Sequence, residues 1–252
     1  MPFIQRSDAT IYYEVFGEGF PVLAFAPGYL RSELAFWKHT PSDPSRKAPW
    51  PNVPVDLVPP FRVIAMDQRY AGKSQAAVTA DVGWQTYADD HLAILDALEL
   101  ERCHLIGVCI GTAFALTLCE RAPGRVASAV LQNPVGRTEA NRAGTMAEFA
   151  RWADGYREKH PEAAPDALAA MGRNMFDRDF AFAASRETVK GLQTPMLVLP
   201  GTDPEDGPHP ASVGNELFEL LPHAELVSAW RGEADQAPAL HAIRDFLQRR
   251  TP

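Results

Sequence analysis

Six continuous apolar runs punctuate this chain, each about the length of a strand buried on both faces. They cover 22–26, 61–67, 103–108, 126–132, 196–201 and 225–230. Continuous rather than alternating runs predict a mainly parallel sheet covered by helices on each side. Ahead of them, 2–6 and 10–16 alternate apolar and polar residues, which predicts two more strands joined at Ser7-Asp8-Ala9. Stretches 87–98, 110–121, 211–221 and 237–247 carry apolar residues at helical spacing. Strands and helices thus alternate, and the expected architecture is a three-layer α/β sandwich.

Two segments interrupt the alternation. Segment 37–60 contains Pro41, Pro44, Pro49, Pro51, Pro54, Pro59 and Pro60, and reads as an irregular surface excursion. Segment 137–189 is polar and mostly helical, with Trp152, Tyr156, Met171, Met175, Phe176, Phe180 and Phe182. It lies between two core strands, so it reads as an insertion. The expected division is a core of 1–136 and 190–252 with an inserted helical segment at 137–189.

Composition narrows the function classes. Hydrophobic residues make up 46% of the 252 positions and charged residues 22%, as in ordinary globular proteins. No apolar run approaches the roughly 18–20 residues of a membrane span, and the N-terminal stretch lacks a signal-peptide core. A net charge of −8 argues against a polyanionic partner. The three cysteines, Cys103, Cys109 and Cys119, form no CxxC pair. The expectation is a protein of the reducing cytoplasm that binds neither nucleic acid nor membrane, with a homodimer left open. No residue spacing suggests a metal site, and no glycine-rich loop suits a nucleotide, so no cofactor is expected.

The chemistry concentrates in Gly107-Val108-Cys109-Ile110-Gly111. An apolar strand runs into it and a helical pattern leaves it. Small residues flank the cysteine, as a sharp strand-to-helix turn requires. Such a turn holds the Cys109 sulfur out of the backbone at a helix N-terminus, as a nucleophile. The bland alternative is an inert small residue at a degenerate turn.

Four landmarks in order resemble the α/β-hydrolase superfamily over nearly the whole chain. Ala26-Pro27-Gly28-Tyr29 stands where members carry a His-Gly oxyanion loop. Asp67-Gln68-Arg69-Tyr70-Ala71-Gly72-Lys73-Ser74 resembles the Asp-x-Arg-Gly-x-Gly-x-Ser stretch. The turn at Cys109 matches the nucleophile elbow, with cysteine in place of serine. The segment from Pro195 to Asp203 looks like the strand leading to the triad acid. The resemblance implies an eight-stranded, mainly parallel sheet and a helical cap at 137–189. It also implies an oxyanion hole from the backbone N–H groups of Tyr29 and Ile110, with Gly28 allowing close approach.

One departure matters. The family's histidine follows the last strand, and here that stretch reads Trp230-Arg231-Gly232-Glu233. Glu233 is either a plain surface carboxylate or a substitute base or anchor. Among seven histidines, His39 falls in the proline-rich excursion, His91 and His241 inside helices, and His160 in the cap. His104 and His223 fall at the wrong strand ends. His209 remains, in a loop at the edge of the sheet that bears the elbow, where open α/β sheets bind ligands. Asp203 is the expected acid behind it and Asp206 the alternative; the bland reading of His209 is a helix cap or a solvated side chain. Arg69 and Arg31 are cations near the cleft, more readily explained by pairing with Asp67 or a loop carboxylate.

These residues predict a hydrolase of an ester, lactone or thioester of a small organic acid, acting through a Cys109 acyl-enzyme on a small-molecule acyl substrate. The competing expectations are a catalytically degenerate sensor, a lyase or isomerase, and an acyltransferase on the same fold.

Overall fold

The computed structural model describes residues 2–178 and 180–252. In chain order the elements are β1 (Phe3–Gln5), β2 (Ala9–Phe16), β3 (Phe20–Phe25), β4 (His39–Thr40), β5 (Asp43–Lys47), α1 (Val53–Asp56), β6 (Phe61–Met66) and β7 (Gln75–Ala76). Then come α2 (Trp84–Ala97), β8 (Cys103–Val108), α3 (Ile110–Arg121), β9 (Val126–Gln132), α4 (Arg142–Lys159), α5 (Pro165–Phe176) and α6 (Arg186–Gly191). The chain ends with β10 (Met196–Leu199), α7 (Ala211–Leu220), β11 (Ala224–Leu226) and α8 (Glu233–Arg249).

The main sheet runs β1-β2-β6-β3-β8-β9-β10-β11, with β7 paired off this path to β2. From β6 to β11 every pairing is parallel, while β1 and β2 join antiparallel. This is the α/β-hydrolase fold. Strand alternation sorts the apolar runs onto two faces. Leu23, Phe25, Leu105 and Val198 face α2 and α3, meeting Tyr87, Ile94, Phe114 and Leu118. Val22, Ala24, Ile106, Val108 and Leu199 face the other way, against Val53, Ile243, Phe246 and Leu247 of α1 and α8. Each such large side chain contributes about 1.5–3 kcal/mol by leaving water. Phe149, Trp152, Met171, Met175 and Phe176 of the inserted helices join the first of these clusters.

Two expectations need correction. Segment 37–60 is not wholly irregular: it holds the β4–β5 hairpin and α1. The strand pairing of β5 survives its proline because all five residues are exposed and unpaired on the outer side, where a missing N–H costs little. The last strand stops at Leu226 rather than Trp230, since β10 offers a partner only as far as the Val227 N–H to Val198 O bond. Among the described residues, no helix is long and apolar enough to cross a membrane.

The Asp67–Ser74 stretch is a structural hub. Asp67 accepts the N–H groups of Leu34 and Lys73, both at 2.8 Å. A side chain on Gly72 would strike Asp67 Oδ2 at 2.2 Å, and Ser74 Oγ joins Tyr12 N–H to Asp67 O. Arg69 does not pair with Asp67. It is fully buried and binds Asp90 through Nε at 2.7 Å and Nη2 at 2.8 Å. Asp90 is itself buried and also meets Arg6 at 3.1 Å. Removing one partner of a buried pair strands the other charge. Asp90→Leu is therefore expected to cost about 3–5 kcal/mol, measured by urea unfolding. An unchanged midpoint would contradict this role for the pair.

Candidate active site

The elbow is built from steric necessity. A Cβ on Gly107 would lie 2.1 Å from Gly111 O, and one on Gly111 would lie 2.3 Å from Phe25 O. Only glycines let α3 start so close to β8 and β3. Cys109 between them takes φ 58° and ψ −122°, a region that costs a non-glycine residue about 1–3 kcal/mol. It is held there by its N–H to Gln132 O at 3.0 Å. Its carbonyl accepts Thr112 N–H at 3.0 Å and Thr112 Oγ at 2.7 Å.

The loop after β10 carries both other groups. Asp203 Oδ2 lies 3.0 Å from His209 Nδ1 and also accepts the His209 backbone N–H at 3.2 Å. In return Asp203 N–H donates to His209 O at 3.2 Å. Gly201 permits this fold-back, since a Cβ there would meet His209 O at 2.2 Å. The loop is tied to the inserted segment: Thr138 Oγ donates to Glu205 O at 2.6 Å and Asn141 Nδ2 to Gly207 O at 3.0 Å.

His209 Nε2 is buried and has no partner at ordinary hydrogen-bond geometry. The charges of the His209 ring and the Cys109 sulfur nonetheless act on each other. Burial alone pushes the Cys109 thiol up. The His209 charge, with the backbone N–H groups of Gly28 and Ile110, brings it below its ordinary 9.0. Burial likewise pulls His209 down, but Cys109 and Asp203 outweigh it and raise the imidazole to about 9. The hydrogen bond to His209 holds Asp203 at about 2 against burial, which opposes it.

The structure therefore brings Cys109, His209 and Asp203 together. It does not bring Asp206 or Glu233 into this group. Both are exposed, and Asp203 already occupies the ring nitrogen that either would have anchored. Glu233 instead opens α8, where a carboxylate suits the helix N-terminus.

At the oxyanion loop, the Gly28 N–H joins that of Ile110 in lowering the Cys109 thiol. Gly28 sits at φ 122°, and a side chain there would strike Phe36 at 2.6 Å. Tyr29 follows at φ 59°, its ring stacked on Phe176 of α5 at 4.7 Å. The cap helices thus close directly onto the oxyanion loop. Arg31 is exposed and faces Glu148 of α4 at 3.5 Å.

Sequence reasoning missed Arg231, which meets the second oxygen of Asp203, and Asn133, which accepts from Arg231. A half-buried arginine in a loop carries no spacing signal. The other histidines that looked unsuitable have other surroundings: His91 bonds Gln68 at 2.9 Å, and His104 bonds Ser128 at 2.8 Å and Thr251 at 3.1 Å. Burial holds these two imidazoles down, at about 3 and about 4. An open cleft of about 1030 Å³ lies elsewhere, lined by Arg6, Asp8, Tyr70 and Tyr156. None of the three grouped residues lines it.

A sequence profile of the alpha/beta hydrolase fold matches residues 25–196. A putative carbamate hydrolase RutD of Variovorax paradoxus is 35% identical over 133 residues, covering 53% of this chain and 46% of that protein. A 2-hydroxymuconate semialdehyde hydrolase of a Pseudomonas species is 36% identical over 89 residues, covering 35% and 31%. The matches thus span about half and a third of those relatives' lengths. The crystal structure of an enol-lactonase from Burkholderia xenovorans superposes with a TM-score of 0.65 at 21% identity, covering 98% of this chain and 100% of the other.

The three thiols should behave differently. Burial pushes Cys103 and Cys119 up to about 12, while Cys109 lies below 9.0. Iodoacetamide is expected to label Cys109 first, with a rate midpoint below pH 9. In His209→Ala that midpoint should rise, because burial remains and the opposing charge is gone. Peptide mapping across a pH series checks both; an unmoved midpoint would contradict the pairing.

Proposed function

The chain belongs to the α/β-hydrolase fold family, and from that premise we propose that it is a hydrolase using Cys109 as its nucleophile. Its substrate is an ester, lactone or thioester of a small organic acid. One observation carries this reading: His209 sets Nδ1 3.0 Å from Asp203 and keeps a buried, unpartnered Nε2, close enough to Cys109 for the two charges to act on each other. Relatives named as hydrolases of small organic molecules support the reaction class.

The Cys109 thiolate attacks the acyl carbon, forming the C–S bond and placing negative charge on the carbonyl oxygen. The N–H groups of Ile110 and of Gly28 or Tyr29 take that charge. As the tetrahedral adduct collapses, the bond to the leaving group breaks and His209 Nε2–H protonates the departing oxygen or sulfur. Water then attacks the thioester, His209 Nε2 accepts its proton, and Cys109 leaves as thiolate with release of the acid. Asp203 keeps the ring oriented throughout. A thiolate expels an amine poorly, which favours acyl oxygen and acyl sulfur substrates over amides.

The paired base is what disfavours a dead, ligand-sensing site. A merely degenerate elbow has no reason to hold an imidazole whose outer nitrogen is buried and free.

Two outcomes are expected in steady-state kinetics. Cys109→Ala should abolish turnover of p-nitrophenyl acetate, and His209→Ala should lower kcat/KM by about 10²–10⁴-fold. For wild type on an alkyl ester, kcat/KM should rise as Cys109 ionises below pH 9.0. It should fall above about pH 9, where His209 loses the proton the leaving group needs. A p-nitrophenyl leaving group departs without a proton, so its alkaline fall should be weaker. Full activity in Cys109→Ala would overturn covalent catalysis.

A further inference from the structure

Asp203 has two carboxylate oxygens, and His209 uses only Oδ2. Oδ1 faces Arg231 Nη1 at 3.3 Å. The same Nη1 donates to Thr202 Oγ at 2.7 Å, and Nη2 donates to Asn133 Oδ1. The guanidinium lies 5.0 Å over the Trp230 ring, which is pinned by its Nε1 donating to Pro200 O at 2.8 Å. Asn133 directly follows β9 at φ 56°, with its N–H bonded to Leu199 O at 2.8 Å. Asn133 directly follows Gln132, whose carbonyl holds the Cys109 N–H.

We propose that Arg231 is a positioning residue: its planar fork joins the end of β9 to Asp203 and so fixes which carboxylate oxygen faces His209. The inference rests on the Cys109–His209–Asp203 reading above. Arg231 comes from the loop after the last strand, where the family's histidine stands. In this chain that loop supplies no base and instead braces the acid of a base supplied by the loop after β10.

The fork, rather than the charge, does the work. Unopposed, the Arg231 cation disfavours a second cation on His209. Its benefit comes from geometry: one rigid guanidinium binds Asp203, Thr202 and Asn133 together, which a single ammonium on a flexible stem does not reproduce. A loosened Asp203 would stabilise the imidazolium less, and His209 would lose its proton at lower pH.

The test compares Arg231→Gln, Arg231→Lys, Asn133→Gly and His209→Ala, using kcat/KM against pH on an alkyl ester together with Cys109 alkylation. Both Arg231 variants should lose about tenfold or more in kcat/KM, with the alkaline limb moved to lower pH and the alkylation midpoint raised. Asn133→Gly removes the far anchor while glycine accepts the φ of 56° freely. It should show the same shifts without a fall in Tm, so a folding defect in the Arg231 variants leaves the idea testable. A wild-type profile in Arg231→Gln and Asn133→Gly, or full rescue by Arg231→Lys, would overturn the clamp. If His209→Ala retains activity and its alkylation profile, the triad reading itself has failed, which the Arg231 variants alone would not reveal.

Discussion

A thiolate and an imidazolium can share a buried site only if each compensates the other. Removing either charge from water costs several kcal/mol, and here burial acts against the charged form of both Cys109 and His209. Their mutual attraction, extended by Asp203 behind the imidazole, reverses both effects. That balance is the constraint on which the site depends. It demands that the sulfur, the ring and the carboxylate be fixed, since a drifting partner would leave an uncompensated buried charge. The glycines at 28, 107, 111 and 201 serve this end by letting backbone segments approach where a side chain would clash.

Strain gathers at the same place. Tyr29, Cys109 and Asn133 all adopt left-handed φ values, and each is non-glycine. Such conformations cost about 1–3 kcal/mol apiece, and the surrounding packing offsets them. The two apolar faces of the sheet, the stacking of Tyr29 on Phe176, and the Cys109 N–H bond to Gln132 O supply that support. The cap is part of this support, because its aromatic residues continue the core cluster instead of forming one of their own.

Much of this was legible in the sequence. Unbroken apolar runs marked the central strands, because burial on both faces removes the polar half of the pattern. The elbow showed itself through small residues at 107 and 111, whose necessity is steric and local. His209 emerged from topology, since the edge of a parallel sheet at which a loop lies follows from chain order. Other features left no such trace. The β4–β5 hairpin lies on the surface, where no buried face imposes alternation. The shortening of β11 depends on how far its neighbour extends. Arg231 and Asn133 act through contacts between loops distant in sequence, and an arginine in a polar loop looks the same whether it faces water or a carboxylate. The part of the Gly28 N–H was hidden because a residue type does not prescribe where its backbone donor points.

The protonation state of His209 tests the account most directly. Nitrogen-15 NMR of the imidazole across pH reads it without a substrate. The account predicts a ring protonated at both nitrogens at neutral pH, losing its proton near about 9, with the midpoint falling when Cys109 is replaced by alanine. A neutral ring at pH 7 whose midpoint ignores Cys109 would contradict it.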